Sequence, residues 1–346
     1  MGAALRRTVA GIWERRGIMA WVLWPLSMVY GLLVAVRRFL YRAGFRATAR
    51  VPVPVIVVGN VVAGGGGKTP LVMAIVCHLQ RQGHQVGVVS RGYGRGGVDC
   101  REVLPDSAAA DVGDEPLLVR QSTGAVVFVA PQRIDAARAL LRRYPEVDRI
   151  VCDDGLQHLA LQRDLEVCVF GDGGIGNGFL LPAGPLREPW PRPVDLLVAD
   201  YRSPVEGASA VRRSLASHAR RADGTQVSLD ILRTAALEPG ANFCAVAGIA
   251  RPQSFFAMLR DAGMPLSNTL ALRDHASFDG PQWADGTMQT ILCTEKDAVK
   301  LWQYRPDAWA VPLQIELDNG FWAHFDATLQ ARAGAKLSSA HGYKTS

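Results

Sequence analysis

Apolar and polar positions divide this chain into blocks of different period. From Gly17 to Val36 the run GIMAWVLWPLSMVYGLLVAV carries no charge, and Ser27 is its only clearly polar side chain. As a helix its 20 residues are about 30 Å long, the thickness of a bilayer's hydrocarbon core. Trp21, Trp24 and Tyr30 suit a headgroup boundary. A membrane anchor is therefore preferred over a buried core helix. A cleaved leader is disfavoured, because the run is too long and the only nearby A-x-A string, Ala47-Thr48-Ala49, lies behind further arginines. Pro25 would kink a spanning helix or suit one lying in the interface, so both placements stay open.

Downstream the pattern changes to short β-branched runs. Residues 52–60 (PVPVIVVGN), 85–90, 125–130, 149–154, 165–171 and 194–200 read as buried strands. Helical stretches lie at 71–83, around 115–122 and at 133–143. Alternating strands and helices predict an α/β fold with a doubly wound parallel sheet, whose ligands bind beyond the carboxyl ends of the strands. The polar stretch 202–240 reads as a junction. A second, smaller α/β segment begins with FCAVAGIA (243–250) and continues through a helix near 253–262, TLALRDH, TILCTEKD and a strand near 310–316. The expected organisation is an anchor region over 1–50, a main domain over 51–225, a smaller α/β domain over 226–335 that closes over the ligand, and a disordered tail over 336–346.

Charge sharpens this division. The chain carries +6 overall. Residues 1–50 hold nine arginines against Glu14 alone, a formal +8, which leaves −2 for the other 296 residues. A basic face spread over the fold is excluded as the source of the charge, and with it general support for nucleic-acid binding. Four arginines precede the apolar run and five follow it, so the positive-inside count barely favours a cytoplasmic C-terminal side. None of the six cysteines falls in a C-x-x-C pair, the pattern of reduced thiols in a cytoplasmic protein.

The candidate chemistry sits where the strands end. AGGGGKTP (63–70) joins the first strand to a helix, which is the P-loop arrangement. Gly64, Gly65, Gly66 and Gly67 let backbone N–H groups approach phosphate oxygens. Lys68 would reach the β and γ phosphates, and the Thr69 hydroxyl would ligate Mg²⁺. Val62 stands where the strict motif has its first glycine. One variant class of P-loop ATPases places a signature lysine where this chain has Ala63, which argues against that class. Asp153 and Asp154 end another strand, and two buried carboxylates are costly without a cation. Mg²⁺ held by Thr69, Asp154 and Glu115 would offset that cost, whereas a turn or helix-cap pair is the alternative for the two aspartates.

Together these motifs resemble one family closely. PVPVIVVGNVVAGGGGKTP is followed in order by SRGYGR, GDEP, DDGLQH, GNGFLLPAGPLREP, AVAGIARPQSFF and TEKDAVK. The sequence is similar to the lipid A 4′-kinases (tetraacyldisaccharide 4′-kinases) from about residue 20 to about residue 330. The resemblance implies transfer of the ATP γ-phosphate to the 4′-hydroxyl of a tetraacyl disaccharide 1-phosphate, the lipid A precursor. It places the enzyme at the cytoplasmic face of the bacterial inner membrane, among membrane lipids. Lys68 and Thr69 match the family's P-loop pair. Asp114 and His275 match its catalytic dyad. Asp154 and Gln157 match residues near Mg²⁺ and the γ-phosphate, and Glu115 joins that shell. Glu295, Lys296 and Asp297, in TEKDAVK, look like the nucleotide-side segment of the second domain. Asp153, His158, Arg91, Arg133 and Asn177 are candidates for substrate contact, with packing or surface ion pairs as the plain alternative for His158, Arg91 and Arg133. The rival reading is a membrane-tethered P-loop ATPase that drives a partner assembly and has no lipid acceptor.

Overall fold

Strand β1 (Val55–Gly59) is buried at every position and has a parallel neighbour on each side, β5 (Arg149–Asp153) and β6 (Leu165–Phe170). A strand covered on both faces needs a continuous apolar run, which VIVVG supplies. β2 (Val86–Ser90) lies beyond β5 and β7 (Leu196–Asp200) beyond β6, giving the order β7-β6-β1-β5-β2, with the first residues of β8 (Ser209–Leu215) on β7. The chain runs from β1 to one side and later returns to the other. The crevice at the carboxyl end of β1 is therefore the switch point where such sheets take ligands.

A computed structural model provides these coordinates. It describes residues 9, 11–64, 67–280, 283 and 289–341, with side chains as far as Arg332. The chain forms two compact units, Met1–Arg91 with Ala130–Arg212 and Leu317–Ser346, and Gly92–Val129 with Arg213–Glu316.

In the first unit the helix Lys68–Arg81 follows β1 and buries Leu71, Val72, Ile75, Val76 and Leu79, an apolar stripe of helical period. The apolar run near the N-terminus is a helix, Ile18–Arg42, long and apolar enough to cross a membrane. Only Ala20 and Ser27 along it are buried. That face is fixed to the loop after β6. Ser27 Oγ donates to the Leu180 carbonyl at 2.8 Å and accepts from the Ala183 N–H at 3.0 Å. Tyr30 OH donates to the Arg187 carbonyl at 2.8 Å. Gly31 leaves room for Leu180, whose Cδ1 would lie 2.8 Å from an added Cβ. The opposite face leaves Val22, Val29, Leu33 and Val36 exposed. At the other terminus the helix Asn319–His341 reaches into the stretch expected to be disordered. It buries Phe321, Phe325 and Leu329, and Asp326 pairs with His78 at 2.9 Å. Residues 342–346 of the expected tail lie outside the described residues.

The second unit holds a six-stranded sheet. β12 (Asn268–Ala271), β11 (Phe243–Ala247), β13 (Thr290–Thr294) and β14 (Trp309–Val311) are parallel, and β9 (His218–Arg220) and β10 (Gln226–Ser228) continue it antiparallel. Strand alternation sends Phe243, Ala245 and Leu292 to one face, against Phe255, Phe256 and Leu259. Cys244, Val246 and Cys293 go to the other, against Phe278 and Trp283. The polar stretch read as a junction is largely ordered, with β8, β9, β10 and the helix Leu229–Ala236. The antiparallel pair β3 (Arg101–Val103) and β4 (Val126–Val129) completes the unit, with the helices Ala109–Val112 and Asp114–Thr123 between them. The fold is α/β throughout, and all six cysteines are free.

Candidate active site

The candidate residues form one group in each unit. In the first, the glycine loop leaves β1 and enters the helix Lys68–Arg81. Gly67 is the N-cap, with φ 74°, and no side chain caps the first turn, which holds no acid. Uncapped N–H groups and the positive end of the helix dipole are what a phosphate needs. Gly64, with φ 108°, also uses a backbone region closed to most residues. Gly65 and Gly66 lie outside the described residues. Thr69 is the second residue of the helix. Lys68 Nζ stands 3.6 Å from Asp154 Oδ1 and 3.4 Å from Asn60 Oδ1. Arg187 reaches Asp154 from its other side at 3.3 Å. Burial alone would raise the Asp154 carboxyl, but Lys68 and Arg187 outweigh it and hold it below the usual range. Asp153 is buried at the end of β5. Gln157 Nε2 donates to the Asn60 carbonyl at 2.9 Å and to Glu188 Oε1 at 2.7 Å.

The second group is built on the N-terminus of Asp114–Thr123. His275 Nδ1 lies 2.9 Å from Asp114 Oδ2. Lys300 Nζ reaches the same oxygen at 3.2 Å. Lys296 Nζ donates to Glu115 Oε1 at 2.9 Å and Asp274 Oδ1 at 3.2 Å, and lies 3.4 Å from His275 Nε2. The Tyr93 ring packs on the imidazole at 5.2 Å. Asp114 is nearly inaccessible, and burial pushes its pKa up, but the His275 hydrogen bond and the two lysines bring it down to about 2. The hydrogen bond to Asp114 raises His275 against the opposing effect of burial. Burial lowers the Lys296 ammonium, yet Glu115, Asp114 and Asp274 raise it further, so it stays charged.

Two largely buried groups result: a lysine and an uncapped helix start after β1, and a carboxylate–imidazole pair walled by ammonium groups. A profile of the family described as tetraacyldisaccharide-1-P 4′-kinase, LpxK, matches residues 19–330. The chain belongs to the LpxK family. A protein from Acidovorax ebreus (strain TPSY) called tetraacyldisaccharide 4′-kinase is 54% identical over 339 residues, covering 97% of each chain. A protein of the same name from Delftia acidovorans is 49% identical over 332 residues, covering 95% of this chain and 96% of the other. The crystal structure of LpxK from Aquifex aeolicus in complex with ATP superposes with a TM-score of 0.77 at 26% identity, covering 91% of this chain and all of that one. This chain is accordingly an ATP-binding kinase of lipid A biosynthesis, and its α/β fold is that of the LpxK kinases.

Within this LpxK framework the remaining candidates have defined positions. Glu115 belongs to the second unit and pairs with Lys296, whereas Thr69, Asp154 and Gln157 belong to the first. Glu295 pairs with Arg220 at 3.0 Å. Asp297 is fully buried and accepts from the Gly248 N–H at 2.9 Å and the Thr294 hydroxyl at 2.6 Å. His158 Nε2 accepts from the Arg133 N–H at 3.2 Å, and burial with nearby arginines lowers its pKa to about 4, so it is a neutral acceptor at a helix start. Arg133 Nη2 donates to the Asp154 carbonyl at 3.0 Å. The Asn177 amide donates to the Ile12 and Ala183 carbonyls, which ties the loop to the N-terminal segment. Arg91 is exposed after β2.

Sequence reasoning did not single out Asn60, Arg187, Glu188, Asp274 or Lys300. Arg187 and Glu188 lay inside a quoted motif, but nothing in LREP says which charge faces Asp154. Lys300 follows Lys296 by one helical turn, a spacing that places both on one face.

Proposed function

We propose that this kinase transfers the γ-phosphate of ATP to the 4′-hydroxyl of tetraacyldisaccharide 1-phosphate, with Asp114 and His275 as the base pair. The observation that carries the reading is the 2.9 Å contact between Asp114 and His275 Nδ1. A sugar hydroxyl is a poor nucleophile at neutral pH and gains from a positioned base. The electrostatics divide the labour. A carboxylate held at about 2 is a weak base, whereas His275 is raised above 6.5. Asp114 therefore orients the ring through Nδ1–H and stabilises its charged form. Nε2 accepts the hydroxyl proton while the hydroxyl oxygen bonds to the γ-phosphorus and the bond to the ADP oxygen breaks. Lys296, beside Nε2, has carboxylates of its own to bind and can yield this nitrogen to the acceptor.

Lys68 and the uncapped first turn of its helix hold the phosphates and neutralise their charge. The oxygen donors Thr69 and Asp154 suit Mg²⁺, which binds through one or two carboxylates plus substrate phosphates and water. Gln157 is assigned a supporting place in that shell, where Mg²⁺ would offset phosphate charge, and Glu115 is left with Lys296 in the second unit.

The N-terminal helix is assigned to the cytoplasmic face of the bacterial inner membrane, lying in the interface. Its body contacts run from Trp21, whose ring packs on Phe179, to Arg38, which pairs with Glu188 at 3.3 Å. A spanning helix would have to break them all. Incubation of the purified protein with Mg-ATP and tetraacyldisaccharide 1-phosphate should give a lipid heavier by one phosphate in its mass spectrum. ATP loss without that product would refute the reading and favour an ATPase.

A further inference from the structure

A cavity of about 370 Å³ opens beside the C-terminal end of the N-terminal helix. Five of its lining residues are arginines: Arg38, Arg42, Arg50, Arg163 and Arg192. Only Asp164 and Glu166 oppose them in the lining. Arg163 and Arg192 share Glu166, and Arg50 is 3.8 Å from Asp164. Arg42 has no ion pair among the described residues. The Arg192 side chain is nine-tenths buried, and its Nε has no hydrogen-bond partner among them. Burial lowers the Arg38 guanidinium, Glu188 pulls it back up, and Arg192 and Arg42 add to the lowering.

This cavity is not the phosphate cradle of the kinase. Asp164 accepts from the N–H of Val55, the first residue of β1, at 2.8 Å. The glycine loop leaves the other end of that strand, roughly 15 Å away for five residues of parallel strand. Apolar surface adjoins the charge, since Phe39 and Phe45, on either side of Arg42 in sequence, are exposed. Guanidinium groups beside exposed apolar side chains match a phosphodiester joined to acyl chains.

We propose that this cavity binds the phosphate headgroup of an anionic glycerophospholipid of the surrounding bilayer, at a place separate from the reaction. The proposal rests on the interfacial placement of the helix. The test measures binding of the full-length protein to phosphatidylcholine vesicles with and without phosphatidylglycerol. It compares the wild type with R42E/R50E and with R15E/R46E, an equal charge change outside the cavity. The wild type should prefer the anionic vesicles about tenfold or more. R42E/R50E should lose that preference and R15E/R46E keep most of it, with ATP binding and Tm unchanged. R42E alone breaks no ion pair and replaces the double variant should that one fail to fold.

Equal losses in the two variants would mean diffuse charge and overturn the site. Equal binding of the wild type to both vesicles would overturn the site and leave the interfacial helix standing. Binding to neither would overturn both. A raised KM of R42E/R50E for the lipid acceptor in neutral detergent micelles, at unchanged KM for ATP, would assign the cavity to the acceptor's own phosphate and overturn the phospholipid.

Discussion

At His275 the backbone takes φ +60°, and at Asp154 +48°. They are the two non-glycine residues with positive φ among those described, and both lie in the candidate groups. Such conformations cost on the order of 1 kcal/mol or more and persist where the surroundings over-determine them. At His275 the surroundings are Asp114, Asp274, Lys296 and the Tyr93 ring. His275→Ala should lower kcat by about 10²–10⁴-fold with little change in KM for ATP. Near-normal turnover on the lipid acceptor would eliminate the base role. The pH dependence has a definite sign. A protonated imidazole cannot accept a proton, so turnover should rise with pH through the raised pKa of His275. The Lys296 charge lowers that pKa while Asp274 raises it. Lys296→Met removes the first and frees the second, so the acidic limb of the kcat–pH profile should move to higher pH. A limb that stays in place or moves down would separate Lys296 from the base. For stability the signs oppose one another. Asp114, depressed to about 2 from 3.8, stabilises the fold above 3.8 and loses that as pH falls towards 2. His275, raised above 6.5, stabilises fully below 6.5 and loses that as pH climbs through its folded value.

One element sets the position of Asp114. Gly113 has φ 93° and ψ 146°, and a Cβ there would lie 3.0 Å from the Tyr93 carbonyl. The turn brings the start of the helix Asp114–Thr123 against the RGYG segment, so that Tyr93 reaches His275. Gly113→Ala should cost about 1–3 kcal/mol in chemical denaturation. It should also lower kcat more than it lowers ATP affinity, because the phosphate cradle belongs to other elements. Full kcat in the destabilised variant would show that the turn serves folding alone. This turn illustrates how far the sequence can be read. Parallel strands such as β1 and β5 were legible because burial on both faces leaves unbroken β-branched runs. The Lys68 loop was legible because glycines before Lys-Thr at a helix start have few other uses. β3, β9 and β10 were not, since strands of three residues carry no period. GDEP could be placed at a helix start, but the packing of Gly92–Val129 with a segment more than a hundred residues onward leaves no local signal. The C-terminal helix was missed because a run of Ala, Lys and Ser reads equally as a solvated tail and as a good helix former.

Charge and apolar surface are both concentrated at one end of the chain. The excess of arginine lies within residues 1–50, and the body beyond is close to neutral. The helix between those arginines turns one side to the loop Phe179–Arg187, and leaves Val29, Leu33 and Val36 exposed on the other. Exposed apolar side chains in a row at helical spacing mark an interaction surface. Under the proposed interfacial placement it is the bilayer that covers this face. Deleting the helix would be an ambiguous test, because it strips Ser27 from the Ala183 N–H and leaves the Leu180 carbonyl with the Gly184 N–H alone. Changing only the outward face avoids that. Val29→Asp, Leu33→Asp and Val36→Asp together touch none of these hydrogen bonds. Each removes a side chain whose burial in an apolar phase is worth about 1.5–3 kcal/mol, so membrane partitioning should fall by two orders of magnitude or more. ATP binding and thermal stability should stay near wild type. Turnover should fall on acceptor presented in vesicles and recover on acceptor dispersed in detergent. Cosedimentation of the triple variant with vesicles at the wild-type level would refute a membrane role for this face.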